Sequence, residues 1–262
     1  MQRRKLCFCY NGPMYVVAYK TRKVVAGDDL FKILEESLPK DLPENSVVAV
    51  ASKIIALCEG RVADPEKITR DQLVQEEADY YLPRETNPFD VSITIKESTF
   101  IASAGVDQSN GNGQLVLWPK DVQESANTIR EFLCSHFGLK EVGVIVTDSK
   151  LSPLRWGVTG VALSHSGFAA IRSYVGKKDV FGRELRVEQV NDADTLAAAA
   201  VGVMGEGDEQ TPLAIITDIP FVEFVDKNPE GKEQLGKMVD MHHEVFTPIL
   251  TSVQWKKGRN GK

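Results

Sequence analysis

Two short runs constrain the fold more than anything else in the chain. Val47-Val48-Ala49-Val50-Ala51 is apolar at every position rather than at alternate ones, and Val142-Gly143-Val144-Ile145-Val146 is the clearest buried strand of the sequence. A strand with one wet face alternates, so an unbroken run reads as a strand covered on both faces by other elements. Each run ends on polar residues, Ser52-Lys53 in one case and Thr147-Asp148-Ser149 in the other. Ligand-binding groups gather at such strand ends in sheets flanked by helices.

Helix signals sit between the strands. Asp28 reads as the N-cap of a helix whose apolar face is Leu30, Ile33, Leu34 and Leu38. A helix is expected over 71–81. Asp121 caps another, with Val122, Ala126, Ile129, Leu133 and Phe137 on one face and Gly138 closing it. Asn191 caps a third that ends at Gly205 and leads through an acidic loop into a strand at 213–216. Residues 5–10 and 14–19 flank Asn11-Gly12, a pair suited to a tight hairpin turn. Residues 92–95 and 100–103 read as strands. From Asn228-Pro229-Glu230 onward, Leu235, Met238, Val239, Val245 and Phe246 have the spacing of an amphipathic helix, followed by a polar tail from Lys256.

Composition narrows the function classes. With 262 residues, 42% of them hydrophobic, the chain has ample material for a buried core, and a net charge of -6 argues against nucleic acid or an anionic membrane as partner. No apolar run approaches the ~18 residues of a membrane span, and the N-terminus carries no secretory segment, so a cytoplasmic protein is expected. Cys7, Cys9, Cys58 and Cys134 are too irregular for a disulfide framework or a zinc site, and Cys7 and Cys9 read as buried thiols. The segment from Gly231 to Met238 imitates a phosphate-binding loop but lacks the Ser or Thr that should meet magnesium. His136, His165, His242 and His243 have no metal-binding spacing.

Three acidic loops remain: Asp107 with Asn110, in the glycine-broken stretch from Ser103 to Gly113; Asp148 with Ser149; and Glu206 with Asp208 and Glu209. Singly, each acid reads equally well as a cap or a solvated turn residue. As a set, oxygen donors of this kind suit magnesium or manganese, ions that enter enzymes bridging nucleotide phosphates. Lys53, Arg61 and Arg155 are the cations available to neutralise a phosphate chain.

Seven segments in order resemble the coenzyme F420-0:gamma-glutamyl ligase family. They are Gly27-Asp28-Asp29-Leu30, Ser52-Lys53-Ile54, Glu59-Gly60-Arg61, Ala104-Gly105-Val106-Asp107 with Ser109-Asn110, Val144-Ile145-Val146-Thr147-Asp148-Ser149, Asp179-Val180-Phe181-Gly182-Arg183 and Val203-Met204-Gly205-Glu206. The resemblance implies an α+β, mixed-sheet, two-lobed fold occupying 1–225, with 226–262 as a C-terminal helical extension. It implies that Asp107, Asp148, Ser149 and Glu206 hold two divalent ions, Mg2+ or Mn2+. Thr21, Arg22, Lys23, Val24, Ser52, Lys53, Asn110, Gly205 and Gly207 would line GTP or ATP, and Lys53 and Arg155 would act on the reacting groups. The expected reaction is an NTP-dependent amide ligation through an acyl phosphate, adding L-glutamate to a carboxylate-bearing cofactor, F420-0-like or folate-like, in a homodimer.

The chain departs from the family pattern at Leu57, where a lysine that contacts nucleotide is usual. Its Trp118-Pro119 and Pro153-Leu154-Arg155-Trp156-Gly157 segments are more similar to a bacterial branch associated with folate gamma-glutamylation. Leu57 also motivates a second reading, a nucleotide- or metabolite-binding protein that keeps the fold without turnover.

Overall fold

A computed structural model describes residues 12–259. In chain order the elements run β1 (Tyr15–Tyr19), α1 (Leu30–Ser37), β2 (Ser46–Ala51), α2 (Ser52–Cys58), β3 (Val62–Ala63), α3 (Arg70–Glu77) and β4 (Tyr80–Leu82). There follow β5 (Ile93–Lys96), β6 (Thr99–Ala102), β7 (Leu115–Val116), α4 (Val122–Phe137), β8 (Val142–Leu151), β9 (Val158–Ser166), β10 (Ile171–Ser173) and β11 (Gln189–Asn191). The last are α5 (Asp192–Met204), β12 (Leu213–Thr217), α6 (Leu235–Met238), α7 (Thr247–Leu250) and β13 (Lys256–Lys257).

The fold is mixed α+β. Its main sheet has the order β1-β12-β2-β8-β9, with β2 and β8 parallel and the other pairs antiparallel. The two unbroken runs are its central parallel pair, and alternate residues serve opposite layers. Val48, Val50, Val144 and Val146 pack with α1 and α4, while Val47, Ala49 and Ile145 pack with α5. That division is why the runs Val47–Ala51 and Val142–Val146 are apolar at every position. A separate antiparallel sheet, β13-β4-β5-β6, and two short ribbons, β3-β7 and β10-β11, complete the strands. Among the described residues no helix is long and apolar enough to cross a membrane.

The expected caps of the long helices are observed. Asp121 accepts the Glu124 N–H at the start of α4, Gly138 closes it at φ +70°, and Asn191 accepts the Asp194 N–H at the start of α5. The third helix runs Arg70–Glu77, opened by a Thr69/Gln72 capping box. One cap moves by a residue: Asp29, not Asp28, accepts the Phe31 and Lys32 N–H groups of α1. Asp28 instead receives two hydrogen bonds from the Arg22 guanidinium and one from the Val25 N–H, tying down the loop before the helix. Asp29→Ala is therefore expected to cost about 1 kcal/mol and lower the melting temperature by ~2–4 °C in a thermal melt. The first strand of the expected N-terminal hairpin, with Cys7 and Cys9, lies outside the described residues.

The C-terminal segment corrects the sequence reading. No long amphipathic helix forms over 228–246; α6 and α7 have four residues each, and the phosphate-loop imitation at 231–238 is divided between a single 3-10 turn and α6. Gly231 is at φ +51° and Val239 is extended, so the helical path is broken at both points. Asp240 accepts the His242 N–H and Thr247 bonds the Glu244 backbone, local contacts that compete with helical hydrogen bonding. Where the polar tail is expected to begin, Lys256 and Lys257 pair with Tyr81 and Tyr80 as β13, and the tail past residue 259 lies outside the described residues.

Candidate active site

The strand ends and the loops that follow them meet on one side of the main sheet. Ser52 and Lys53 begin α2 where β2 runs straight into helix, and Asp148 and Ser149 lie on β8 just beyond its apolar run. Lys53 Nζ donates to Asp107 Oδ2 at 2.6 Å and to Ser109 O and Oγ at 3.0 Å each. The Asp107 loop is held in turn by the Ser109 N–H and hydroxyl, both donating to its carboxylate. From the same loop, Asn110 Nδ2 reaches Gly207 O at 3.0 Å. Ser149 Oγ donates to Glu206 Oε2 at 3.1 Å, joining the end of β8 to the loop after α5.

A fifth segment, at Thr21, joins through Gln210. Thr21 N–H donates to Gln210 O, and Gln210 Nε2 donates to Thr21 O. Five stretches far apart in sequence, around residues 21, 53, 107–110, 148–149 and 205–210, are thus linked in one chain of contacts. The three acidic loops are linked to one another by single bonds, Asn110 to Gly207 and Ser149 to Glu206.

The two aspartates differ electrostatically. Burial pushes the Asp107 carboxyl upward, but the bonds from Lys53 and Ser109 outweigh it and hold it below the usual carboxylate range. Asp148 is half-buried by surface area, and the crowding of protein atoms about its carboxyl pushes it up to about 6. Bonds from the Ser149 N–H at 2.8 Å and the Trp118 indole N–H at 2.5 Å act in the opposite direction without cancelling that effect. A carboxylate whose charge the protein leaves undercompensated suits a bound cation.

Asp107, Asp148, Ser149 and Glu206 form an oxygen-only donor set, which fits a hard divalent ion in chemistry. Their present contacts are pairwise, Lys53 on Asp107 and Ser149 on Glu206. Among the described residues no three acid, His or Cys side chains already close around one point.

Other expected residues fall into place unevenly. Thr21 is buried, with its hydroxyl on Arg22 O; Arg22 is paired to Asp28; Lys23 is exposed. Gly207 N–H is taken by Glu209 Oε2 at 2.8 Å, and the Glu209 carboxylate lies so close to Gly205 that a Cβ there would collide with it. Arg155 sits at the exposed tip between β8 and β9, its guanidinium on Leu154 O and its N–H on Ser152 O. Arg61 is not a phosphate donor: it makes two bonds to Glu77 and one to Trp118 O. His165 is buried on β9, where burial pushes it down to about 4, and His242 and His243 lie in a surface turn.

Leu57 has a physical account. It is buried with Ala56, Val24, Val62 and Val116, and its carbonyl accepts the Gly27 and Gly60 N–H groups. Val24, expected beside the nucleotide, is thus the apolar neighbour of the residue that replaces the family's lysine. The contact that sequence reasoning missed is Trp118 on Asp148, which no local spacing signals.

The family model described as F420-0:Gamma-glutamyl ligase matches residues 18–218. The Coenzyme F420:L-glutamate ligase of Haloarcula marismortui is 36% identical over 237 residues, 81% of this chain and 88% of its own. That of Halobacterium salinarum is 34% identical over 239 residues, 83% and 90% of the two chains. A third, from Methanocaldococcus jannaschii, is 32% identical over 220 residues, 76% and 86%.

Proposed function

Because the chain belongs to the F420-0:gamma-glutamyl ligase family, we propose that it joins L-glutamate by an amide bond to a carboxylate-bearing cofactor, F420-0-like or folate-like, at the expense of GTP or ATP. The observation that carries this reading is the meeting of the Lys53–Asp107 pair, the Ser149–Glu206 pair and the Asn110–Gly207 bond at the end of the parallel strands. In the proposed reaction an acceptor carboxylate oxygen attacks the terminal phosphorus and the nucleoside diphosphate leaves. The glutamate amine then attacks the acyl phosphate carbon, releasing inorganic phosphate and a proton.

The difficulty of the first step is charge, since a carboxylate and a triphosphate repel each other. Asp107, Asp148, Ser149 and Glu206 would hold Mg2+ or Mn2+, two ions on the family reading, which supply that neutralisation when bound. Lys53 carries an ammonium to the same place and, by pairing with Asp107, keeps it oriented in the resting protein. Thr21, Ser52 and Asn110, with the backbone at Gly205 and Gly207, would line the nucleotide on this reading. The two-lobed arrangement belongs to this reading, as does a homodimer, which the exposed apolar Leu154, Trp156, Val180 and Phe181 support.

Purified protein given Mg2+ or Mn2+, GTP or ATP, L-glutamate and each acceptor should release nucleoside diphosphate and form a glutamylated product detectable by mass spectrometry. No diphosphate with any combination would sink the reading. Lys53→Met should lower kcat by about 10²–10³-fold. Because the Lys53–Asp107 pair is partly solvated, its loss should shift stability by only ~0–1 kcal/mol in denaturant titration. The buried Leu57 favours a second reading, binding without turnover; tight nucleotide binding by calorimetry with no diphosphate release would decide for it.

A further inference from the structure

One indole is fixed more tightly than packing requires. Trp118 is buried, with its Nε1 donating to Asp148 Oδ2; Gly105 and Lys96 border the ring, and Arg61 holds its backbone. Gly105, at φ +72°, lies so close that a Cβ there would stand 2.0 Å from Nε1. Lys96 Nζ lies 5.0 Å from the ring centroid, and Arg61 Nε donates to the Trp118 carbonyl at 3.1 Å. Glu77 joins the two cations, receiving Lys96 at 2.7 Å and two bonds from Arg61. Gly105 and Lys96 thus flank a side chain whose single polar atom points at Asp148, while Arg61 fixes the backbone that carries it.

We propose that Trp118 is a positioning residue for Asp148, fixing the plane of its carboxylate for the divalent ion; the inference rests on the reading of Asp148 as an ion ligand. The second fixed point is the Ser149 N–H on Oδ1. With one donor on each oxygen, the carboxylate cannot rotate about its Cβ–Cγ bond without losing both. An indole N–H suits this role because it donates and never accepts, so it cannot compete for the ion. Partners of this kind behind a metal ligand are typically worth ~10–100-fold in metal affinity or activity. One step further out, Lys96 lies over the ring and Arg61 bonds the Trp118 carbonyl, with Glu77 joining the two cations.

Trp118→Phe keeps a ring against Gly105 and Lys96 and removes only the donor. Mn2+ affinity, read from the paramagnetic resonance of the free ion, should weaken by about tenfold or more, and kcat should fall by ~10–100-fold with KM for glutamate within about twofold. A purely structural role would lower the melting temperature without this split. A second measurement leaves Trp118 untouched. In Trp156→Phe/Trp255→Phe protein, Trp118 is the sole tryptophan, and its emission should change saturably with Mg2+, an effect absent when Asp148→Asn is added.

Unchanged Mn2+ affinity in folded Trp118→Phe would overturn the proposal. So would a Trp118 emission that stays constant while calorimetry shows Mg2+ binding. If neither ion binds the unmodified protein, the ligand reading of Asp148 falls, and the positioning role falls with it.

Discussion

Asp148→Asn is expected to remove ligase turnover by about a thousandfold or more, since it replaces a proposed ion ligand at the reacting centre. The same change should alter the pH dependence of stability. Crowding raises the Asp148 carboxyl to about 6, while in the unfolded chain it titrates near ~3.9. Between those values the folded protein binds more protons than the unfolded one, so this group's contribution is full below about pH 4 and is lost as pH rises through about 6. The full shift corresponds to ~3 kcal/mol, and partial exposure of the residue reduces that to about 1–2 kcal/mol.

Asn cannot ionise, so its melting temperature should gain on the unmodified protein by ~3–6 °C between pH 4 and pH 7. The comparison cancels every other titrating group. Thermal melts of both proteins across that range, without divalent ions, check it. A constant difference would mean that Asp148 is not held upward. Added Mg2+ should then raise the melting temperature of the unmodified protein alone.

Glu77→Ala is expected to be the most destabilising single change at the site's support. Lys96 is almost wholly buried, its Nζ lies 2.7 Å from Glu77, and removing that partner takes away its hydrogen-bonded carboxylate, leaving Glu97 as a longer-range counter-charge. Breaking a buried pair from one side typically costs ~3–5 kcal/mol, here about 6–20 °C in melting temperature. Arg61, more exposed, can turn to water and adds less. The test is a double variant: Glu77→Leu with Lys96→Met should recover most of the loss, because the cost lies in the orphaned charge. If the double variant melts as low as Glu77→Ala, the network is important for shape rather than charge.

The long helices and central strands were legible in the sequence for a definite reason. At α4 and α5, Asp121, Gly138 and Asn191 mark the ends of apolar patterns that already had helical period, so local and tertiary preferences agree. The candidate site residues were legible as types because three acidic segments, at Asp107, Asp148 and Glu206, form an oxygen-donor set together that none forms singly. Their pairing was not: Lys53 meets Asp107 and Ser149 meets Glu206 across 54 and 57 positions of sequence. The indole on Asp148 is hidden for the same reason. Arg61 misled because a cation beside an acidic site reads as a ligand donor, whereas Glu77 had already engaged it. The C-terminal segment misled because its apolar spacing fits a helix, while Gly231 and the Asp240 and Thr247 side chains favour turns.

The pairing of β13 with β4 bears on how the protein is made. Tyr81 and Lys256 lie about 175 residues apart in the chain, so closing that edge of the four-stranded sheet is among the most distant contacts in the fold. During synthesis β4 emerges long before its outer partner exists. Until then one side of Tyr80–Leu82 presents unpaired backbone groups, the kind of edge through which incomplete chains associate. The segment that closes it, past residue 218, lies beyond the stretch matched by the family model. In this chain the sheet that carries Lys96, and through it Trp118, is therefore finished late and by residues outside that stretch.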